Sequence, residues 1–249
     1  MLCDVLASKS WFGFDLDDTL HEFRKASSAA SLAVFANIEA RFSIPVAELQ
    51  KDYADILRAA TKSAFIDGRT STEYRKERFA ALLDGRDFQY AESYLNSLVE
   101  QYKSALGNAL QLKPGALGLF QFLKQRGKRV IIVTEGPTDA QIWTVQILGL
   151  EPYVDVLVTT NEVGKSKIDG LFTEVLHMHD ILPQDLVYVG DNETRDIVPA
   201  IEAGILAIHY SEKDECFLGL TDDFTSQLTE KRFLRVDSLA KFQQVMESP

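Results

Sequence analysis

Three carboxylates and a threonine follow a short uncharged segment near the start of the 249-residue sequence. The segment Trp11–Phe14 is apolar and rich in aromatic residues, which is typical of a buried strand in a parallel sheet. Asp15, Asp17, Asp18 and Thr19 come directly after it. Carboxylates are costly to remove from water unless a cation or a hydrogen-bond donor compensates them. Because hard cations prefer oxygen ligands, this loop is a candidate site for Mg²⁺ and phosphate, although a solvated acidic turn has the same composition.

The second half of the chain alternates apolar, strand-like segments with segments of helical periodicity. The predicted strands after the first are Arg129–Thr134, Val154–Thr159, Leu186–Gly190, Ile205–His209 and, at an edge, Leu234–Val236. The predicted helices are Ala116–Arg126, a segment that ends at Leu148, Asp169–His179, Asp196–Ala203 and Leu239–Met246, while Leu218–Arg232 gives no clear signal. This alternation predicts an α/β fold with a doubly wound parallel sheet.

A block of purely helical character separates the first two predicted strands. Residues 22 to about 106 contain no convincing strand, and their apolar residues recur at helical spacing. The predicted helices cover Ala26–Ile38, Val46 towards Phe65, Thr72–Leu83 and Phe88–Leu106, the last of which should end at Gly107–Asn108. We therefore predict a core of residues 1–20 and 113–249, interrupted by an all-helical domain over residues 21–112.

The polar residues that follow the predicted strands should converge, because ligands bind beyond the carboxyl ends of the strands in a doubly wound sheet. These residues are Asp15, Asp17, Thr134, Lys165, Lys167, Asp191 and Asp196. Such a set suits phosphoryl transfer. One carboxylate can be the nucleophile, a second the general acid and base, and others can hold Mg²⁺, while a hydroxyl and an ammonium bind the phosphate oxygens.

These residues stand in motifs that resemble those of the haloacid dehalogenase-like (HAD) superfamily, and of its aspartate-nucleophile phosphatases in particular. The first motif, D-x-D-x-T, is Asp15–Thr19, and the second, a Ser or Thr that ends the next strand, is Thr134. The acidic fourth motif, of the G-D-x-x-x-x-D type, is Gly190–Asp196. The motifs occur in family order, and the helical block lies where the family has its helical cap. The resemblance implies a Rossmann-like core with an inserted cap domain.

The third motif departs from the family pattern E-V-G-x-x-K-P-D, since the sequence reads Glu162-Val163-Gly164-Lys165-Ser166-Lys167-Ile168-Asp169. The spacing along the sequence from Glu162 favours Lys167 as the phosphate-binding lysine. The spacing to the following Phe172 is one residue shorter than in the family pattern, which keeps Lys165 as the alternative. The second motif also differs, because Glu135 stands where Asn is common, and a carboxylate there would repel phosphate unless it turns away or binds a cation.

The resemblance implies a role for each motif residue. Asp15 would be the nucleophile and a metal ligand, and Asp17 the acid and base with its main-chain carbonyl on the metal. Thr19 would orient Asp17, and Thr134 and the lysine would bind phosphate. Asp191 would bind Mg²⁺, and Asp196 would support the waters of the metal or the lysine.

The composition narrows the classes of partner. Lys and Arg number 26 against 37 Asp and Glu, a net charge of −11, which argues against nucleic acid and anionic membranes as partners. Cys3 and Cys216, far apart in the sequence, predict free thiols in a reducing compartment. We see neither an apolar run of about 18 residues nor a signal peptide. These features predict a cytoplasmic protein, and we expect a monomer or small homo-oligomer. The resemblance implies that its partner is a small phosphorylated molecule.

The preferred function is therefore a Mg²⁺-dependent phosphatase for a small phosphomonoester such as a sugar phosphate, a short polyol or acid phosphate, or a nucleoside monophosphate. A phosphomutase of the same family would use the same residues. A receiver-type phospho-acceptor domain would also use clustered Asp, a Thr and a Lys, but such domains are about half this length. For Arg24 and Lys25, which follow the acidic loop, a solvated helix face is favoured over contact with a substrate.

Overall fold

The structure of the protein, a computed structural model, describes residues 2–60, 65–213 and 234–247. Its centre is a six-stranded sheet in the order β3-β2-β1-β4-β5-β6, and every neighbouring pair of strands is parallel. The strands are β1 (Trp11–Phe14), β2 (Arg129–Thr134), β3 (Val156–Thr159), β4 (Leu186–Gly190), β5 (Leu206–Tyr210) and β6 (Leu234–Val236). The prediction of a doubly wound parallel sheet is confirmed.

Helices cover both faces of this sheet. They are α1 (Leu2–Ser8), α6 (Ala116–Gln125), α7 (Thr138–Ile147), α8 (Thr160–Val163), α9 (Leu171–Met178), α10 (Val198–Glu202) and α11 (Leu239–Glu247). Successive residues of β1 point to opposite faces, as the pleat requires. Phe12 and Phe14 join a cluster with α1, α6 and α11, whereas Trp11 joins the cluster that contains Phe172 of α9 and Ile201 of α10.

Four helices form an insertion between β1 and α6 in the described part of the chain. They are α2 (Phe23–Phe42), α3 (Val46–Ala60), α4 (Ser71–Asp84) and α5 (Glu92–Ala109). The insertion has its own hydrophobic cluster, in which Phe79 is fully buried. The segments that enter and leave it lie side by side: the Lys113 amide donates to the Leu20 carbonyl at 2.8 Å, and the Glu22 amide donates to the Gln111 carbonyl at 3.0 Å. The domain boundaries themselves stay a prediction.

Several element ends differ from the sequence-based predictions. The helix predicted to end at Gly107–Asn108 continues to Ala109. Gly107 does not end the helix but allows close packing, since a Cβ there would lie 3.1 Å from Cζ2 of Trp143. Phe65 is not helical but has a positive φ of 57°. A π-turn over Glu193–Ile197 precedes α10 where one continuous helix was predicted. The short helix α1 was not predicted.

Two predictions concern residues that the structure does not describe. Cys216 and the segment Leu218–Arg232 lie outside the described residues. Cys3 is a buried free thiol. Within the described ranges, no helix combines the length and the apolar character needed to cross a bilayer.

The turn that returns the chain from the insertion depends on Gly115, which has a φ of 85°. A Cβ at this position would lie 2.7 Å from the amide nitrogen of Ala240 in α11. We expect Gly115→Ala to lower the free energy of unfolding by about 1–3 kcal/mol, from backbone strain together with displacement of α11. Urea denaturation measures the loss.

Gly149→Ala is the matched control for this prediction. Gly149 also has a positive φ, 68°, but its Cβ would meet nothing within 4 Å. It reports the backbone strain alone, so we expect a smaller loss of stability. Equal losses in the two variants would show that the contact with α11 contributes nothing.

Candidate active site

A buried ammonium group joins two of the predicted carboxylates. Lys167 lies in a 3₁₀ turn after β3 and is 2% exposed; its Nζ is 2.6 Å from Oδ1 of Asp15 and 2.5 Å from Oδ1 of Asp196. Asp15 continues β1, and its amide donates to the carbonyl of Val189 in β4 at 2.9 Å. Three separate strand ends therefore meet at one ion-paired cluster.

Local backbone features hold Asp196 in this cluster. Asp196 lies within the π-turn that follows β4, and its Oδ2 accepts from the Asn192 amide at 3.0 Å. Gly190 permits the close approach, because a Cβ on Gly190 would lie 2.5 Å from Cβ of Asp196. The hydroxyl of buried Tyr188 lies 3.2 Å from Oδ1 of Asp196 and 2.9 Å from the Val133 carbonyl. The second and fourth motifs are thus linked through Tyr188.

Thr19 contacts a different aspartate from the one expected. Its hydroxyl donates to Oδ2 of Asp15 at 3.1 Å and accepts from the Asp191 amide at 2.9 Å. The expectation that Thr19 orients Asp17 is therefore wrong: its hydroxyl lies in the interior beside Asp15, between the ends of β1 and β4.

The residue that contacts Asp17 is His21, which sequence reasoning missed. His21 is fully buried, and its Nε2 lies 2.9 Å from Oδ1 of Asp17. His21 also forms isolated bridges with Asp17 and Leu112, so it sits where the chain enters and leaves the insertion. Its spacing of four residues from Asp17 within one tight loop is the signal that would have found it.

Thr134 has a buried hydroxyl that finds no hydrogen-bond partner among the described residues. It lines a cavity of about 220 Å³ together with Asp15, Asp17, Lys167 and Asp191. A buried polar group without a partner is costly, so this hydroxyl is suited to a ligand oxygen in the cavity.

The structure shows where the side chains of Glu135 and Lys165 point, in the two motifs that depart from the family pattern. Glu135 turns to Arg195, with Oε2 3.0 Å from Nη1, and its Oε1 accepts from the Lys167 amide at 3.3 Å. Its charge is thus compensated beside the cavity. Lys165 points away from the cluster and pairs with Glu174 on the surface. The structure therefore brings Lys167, and not Lys165, to Asp15.

Arg24 lies over the mouth of the cavity rather than on an uninvolved helix face. Its side chain is 75% exposed, with Nε 3.1 Å from Oδ2 of Asp18 and Nη2 3.5 Å from Oδ2 of Asp191. Arg24 is thus exposed, as the favoured interpretation of a solvated helix face predicts, but its guanidinium also contacts two site carboxylates.

The cavity holds more negative charge than its lysine neutralises. Burial raises the pKa of Asp15 well above its usual range, and Lys167 opposes this effect. Burial and the neighbouring Asp196 raise the pKa of Asp191 to about 6. Burial by itself would lower the pKa of Lys167, but Asp15 and Asp196 outweigh it and raise that pKa, so the ammonium stays charged.

This excess of negative charge fits a divalent cation. One carboxylate oxygen from each of Asp15, Asp191 and Asp196 lies within 4.8 Å of the others. The Asp17 side chain is absent from this group, because it turns to His21. An all-oxygen set of this kind suits Mg²⁺.

Comparison with known proteins shows the family. The sequence profile of the haloacid dehalogenase-like hydrolases matches residues 10–204. The chain belongs to this family. The predicted membership of the HAD superfamily is confirmed, and this HAD-like hydrolase is an enzyme.

Its relatives include phosphatases and nucleotidases. A ribulose-1,5-bisphosphate 5-phosphatase of Halopiger xanaduensis is 26% identical over 81% of this chain and 84% of its own length. A glyceraldehyde 3-phosphate phosphatase of Methanocaldococcus jannaschii is 26% identical over 78% and 82%. A pyrimidine 5′-nucleotidase of Escherichia coli is 26% identical over 82% and 89%.

Solved structures agree on the fold. A HAD-family hydrolase of Bacillus subtilis, crystallised with magnesium, superposes with a TM-score of 0.68 at 21% identity and covers 96% of this chain and 99% of its own. A 2-haloacid dehalogenase of Pseudomonas syringae superposes with a TM-score of 0.66 at 22% identity, covering 96% and 98%. At these identities the likeness concerns the fold alone.

We expect Mg²⁺ to raise the thermal unfolding midpoint of the EDTA-treated protein, because a ligand that binds only the folded state stabilises it. The rise should shrink as the pH falls through about 6, since Asp191 must lose its proton to bind the ion. Asp191→Asn should lose most of the rise at neutral pH. Differential scanning fluorimetry measures each value.

Glu202→Gln, which removes an exposed carboxylate from α10, should keep the full rise. An Mg²⁺ effect of the same size in Asp191→Asn and the wild type would contradict the assignment of Asp191 as a metal ligand.

Proposed function

We propose that this HAD-like hydrolase is a Mg²⁺-dependent phosphatase that hydrolyses a small phosphomonoester through a phosphorylated Asp15. One observation carries the proposal: the buried and unpartnered hydroxyl of Thr134 opens into the same cavity as Asp15, Lys167 and Asp17. A phosphate oxygen supplies the acceptor that this hydroxyl lacks. The cavity then contains a nucleophile, two phosphate-binding groups and a second carboxylate.

Asp15 is the proposed nucleophile. Its two carboxylate oxygens contact Lys167 and Thr19, which fix the orientation of the group towards the cavity. In the first step an Asp15 oxygen forms a bond to phosphorus while the bond from phosphorus to the ester oxygen breaks. Lys167 and Thr134 hold the remaining phosphoryl oxygens, because phosphoryl transfer depends mainly on positioning and electrostatics. Lys165 takes no part, since it pairs with Glu174 on the surface.

Asp17 is the proposed general acid and base. It gives a proton to the departing ester oxygen and then removes one from the water that attacks the phosphorus of phospho-Asp15. In that second step the bond from phosphorus to the Asp15 oxygen breaks, which releases inorganic phosphate and restores the Asp15 carboxylate. Its carboxylate lines the cavity and is held at 2.9 Å by the buried ring of His21. The resemblance implies that phosphatases of the family have this second aspartate. The dehalogenase branch lacks it, because a halide leaves without a proton.

Asp15, Asp191 and the main-chain carbonyl of Asp17 would hold Mg²⁺, and Asp196 would support the site through Lys167. A bound Mg²⁺ would offset charge on the phosphoryl oxygens. Burial, with a smaller effect of the neighbouring carboxylates, raises the pKa values of Asp15 and Asp191, and a bound cation would favour the charged form of both groups.

Residues 21–112 form the proposed cap domain, and the core comprises residues 1–20 and 113–249. The separate hydrophobic cluster of the insertion and the paired segments at Leu20 and Lys113 support this division. Phe23 and Phe65 of the insertion line the cavity opposite Asp15. A cavity of about 220 Å³ between the two parts restricts the substrate to a small molecule. The relatives act on sugar phosphates and pyrimidine nucleotides, which makes these classes the first to test.

We expect Asp17→Asn to separate the two chemical steps. An aryl phosphate has a good leaving group that needs little protonation, so the variant should release one equivalent of aryl alcohol and then stall as the phosphoenzyme. An alkyl phosphate should fail at the first step. The affected steps should slow by about 10²–10⁴-fold, the usual contribution of a positioned acid or base. Rapid-quench kinetics with both esters measures the burst.

Asp18→Asn is the control, since Asp18 pairs with Arg24 at the mouth of the cavity and has no proposed chemical step. It should show no stalled phosphoenzyme. If Asp17→Asn gives no aryl burst and slows the first turnover equally for both esters, Asp17 is not the acid and base.

A further inference from the structure

A second cavity adjoins the catalytic one on the side of the insertion. Its volume is about 260 Å³, and it lies between α4 and α5 of the insertion and the start of α7 in the core. Asp17, Phe23, Phe65 and Glu135 line both cavities. The two cavities are therefore neighbours, and a molecule with its phosphate at Asp15 would have its other end near the second cavity.

Two arginines of α4 line the second cavity. Arg75 and Arg78 are three residues apart, so they lie on the same face of the helix. The Arg75 guanidinium lies 5.0 Å from the ring centre of Tyr102, and that of Arg78 lies 5.6 Å from the ring centre of Phe65. Nε of Arg78 is buried and has no hydrogen-bond partner among the described residues.

Arg75 and Arg78 have no carboxylate partner, in contrast to two other arginines of the insertion. Arg69 pairs with Glu77, and Arg86 pairs with Glu48 and Asp52. Within the described ranges, no carboxylate oxygen lies within 4.0 Å of the guanidinium of Arg75 or Arg78.

The carboxylate that acts electrostatically on Arg75 already has hydrogen-bond donors. Asp139 acts on Arg75 electrostatically, but its oxygens accept from the amide and the hydroxyl of Ser71 at 2.8 and 2.7 Å. Burial lowers the pKa of Arg75, and the surrounding groups do not offset that effect. A pair of partly desolvated cations without a carboxylate partner is stabilised when an anion binds there.

We infer that Arg75 and Arg78 bind a second anionic group of the substrate, a carboxylate or a second phosphate, at the end opposite the scissile ester. The inference rests on the proposed function for the position of the reacting phosphate. Guanidinium groups bind carboxylates and phosphates through paired hydrogen bonds that are strengthened by charge, whereas a neutral sugar or nucleobase brings no negative charge to the two cations. The aromatic rings beside them contact the carbon skeleton between the two anionic groups.

Turnover of matched esters tests the inference. If the second anion is a carboxylate, wild-type enzyme should prefer 3-phosphoglycerate to glycerol 3-phosphate. If it is a phosphate, the enzyme should prefer fructose 1,6-bisphosphate to fructose 6-phosphate. In Arg75→Gln and in Arg78→Gln, kcat/KM for the preferred ester should fall about 10- to 100-fold, mainly through KM, the scale of a lost charge-assisted hydrogen bond. Hydrolysis of p-nitrophenyl phosphate, which has no second anion, should stay within about twofold of the wild type and shows that each variant is folded.

Lys76→Gln is the matched control, because Lys76 lies on the same helix but pairs with Glu92 outside the cavity. It should keep the preference of the wild type. If wild-type enzyme shows no preference within either pair, or if the arginine variants lose both members of a pair equally, the inference is overturned.

A binding measurement separates this inference from the proposed function. Calorimetry needs no turnover. The ligands are ω-phosphonoalkanoates of two to six carbons, each compared with its own carboxamide, and the matching bisphosphonates. Tighter binding of the doubly anionic compounds, lost in Arg75→Gln and Arg78→Gln, supports the anion site even if no ester is hydrolysed. A different result would overturn the anion site: acid and amide bind with equal affinity, and a second phosphonate does not raise the affinity. If esters are hydrolysed all the same, the proposed phosphatase activity stands.

Discussion

The structure depends on one buried interaction, the ammonium of Lys167 between the carboxylates of Asp15 and Asp196. Each of these groups follows a different strand, and they meet because β1, β3 and β4 run parallel and have their carboxyl ends at the same edge of the sheet. Loss of the lysine would leave two carboxylates uncompensated in the interior, which is among the most destabilising changes a core can undergo. Much else in the site serves this contact: Gly190 lets Asp196 approach, Tyr188 holds it, and Thr19 fixes the other oxygen of Asp15.

Chemistry and selection belong to different parts of the chain in this account. The core supplies Asp15, Thr134 and Lys167, whose positions follow from the ends of parallel strands. The insertion supplies the opposite wall, where aromatic rings and the two arginines of α4 face the second cavity. Asp17 lies at the boundary, because it lines both cavities and is held by His21 at the root of the insertion.

The sequence predicted the features that depend on local pattern. β2, β4 and β6 have the predicted bounds, since continuous apolar runs mark buried strands, and the alternation of strands and helices predicted the parallel sheet. It did not predict the partners of Thr19 and His21, because those contacts depend on how a tight loop turns in three dimensions. Gly107 suggested a helix end, yet its lack of a side chain serves the packing of Trp143 against α5. The choice between Lys165 and Lys167 likewise needed the fold, which points one inward and the other to Glu174.

The central claim is that Asp15 forms a covalent bond to phosphorus, and chemical trapping tests it most directly. Enzyme that is turning over an aryl phosphate with Mg²⁺ is quenched and treated with borohydride, which reduces an aspartyl phosphate to homoserine, and the peptides are then sequenced by mass spectrometry. The account predicts homoserine at position 15, dependent on substrate and absent from Asp15→Asn. Reduction at another aspartate would contradict it. Release of phosphate with no reduced residue would also contradict it, if the Asp17→Asn variant accumulates no phosphoenzyme under the same conditions.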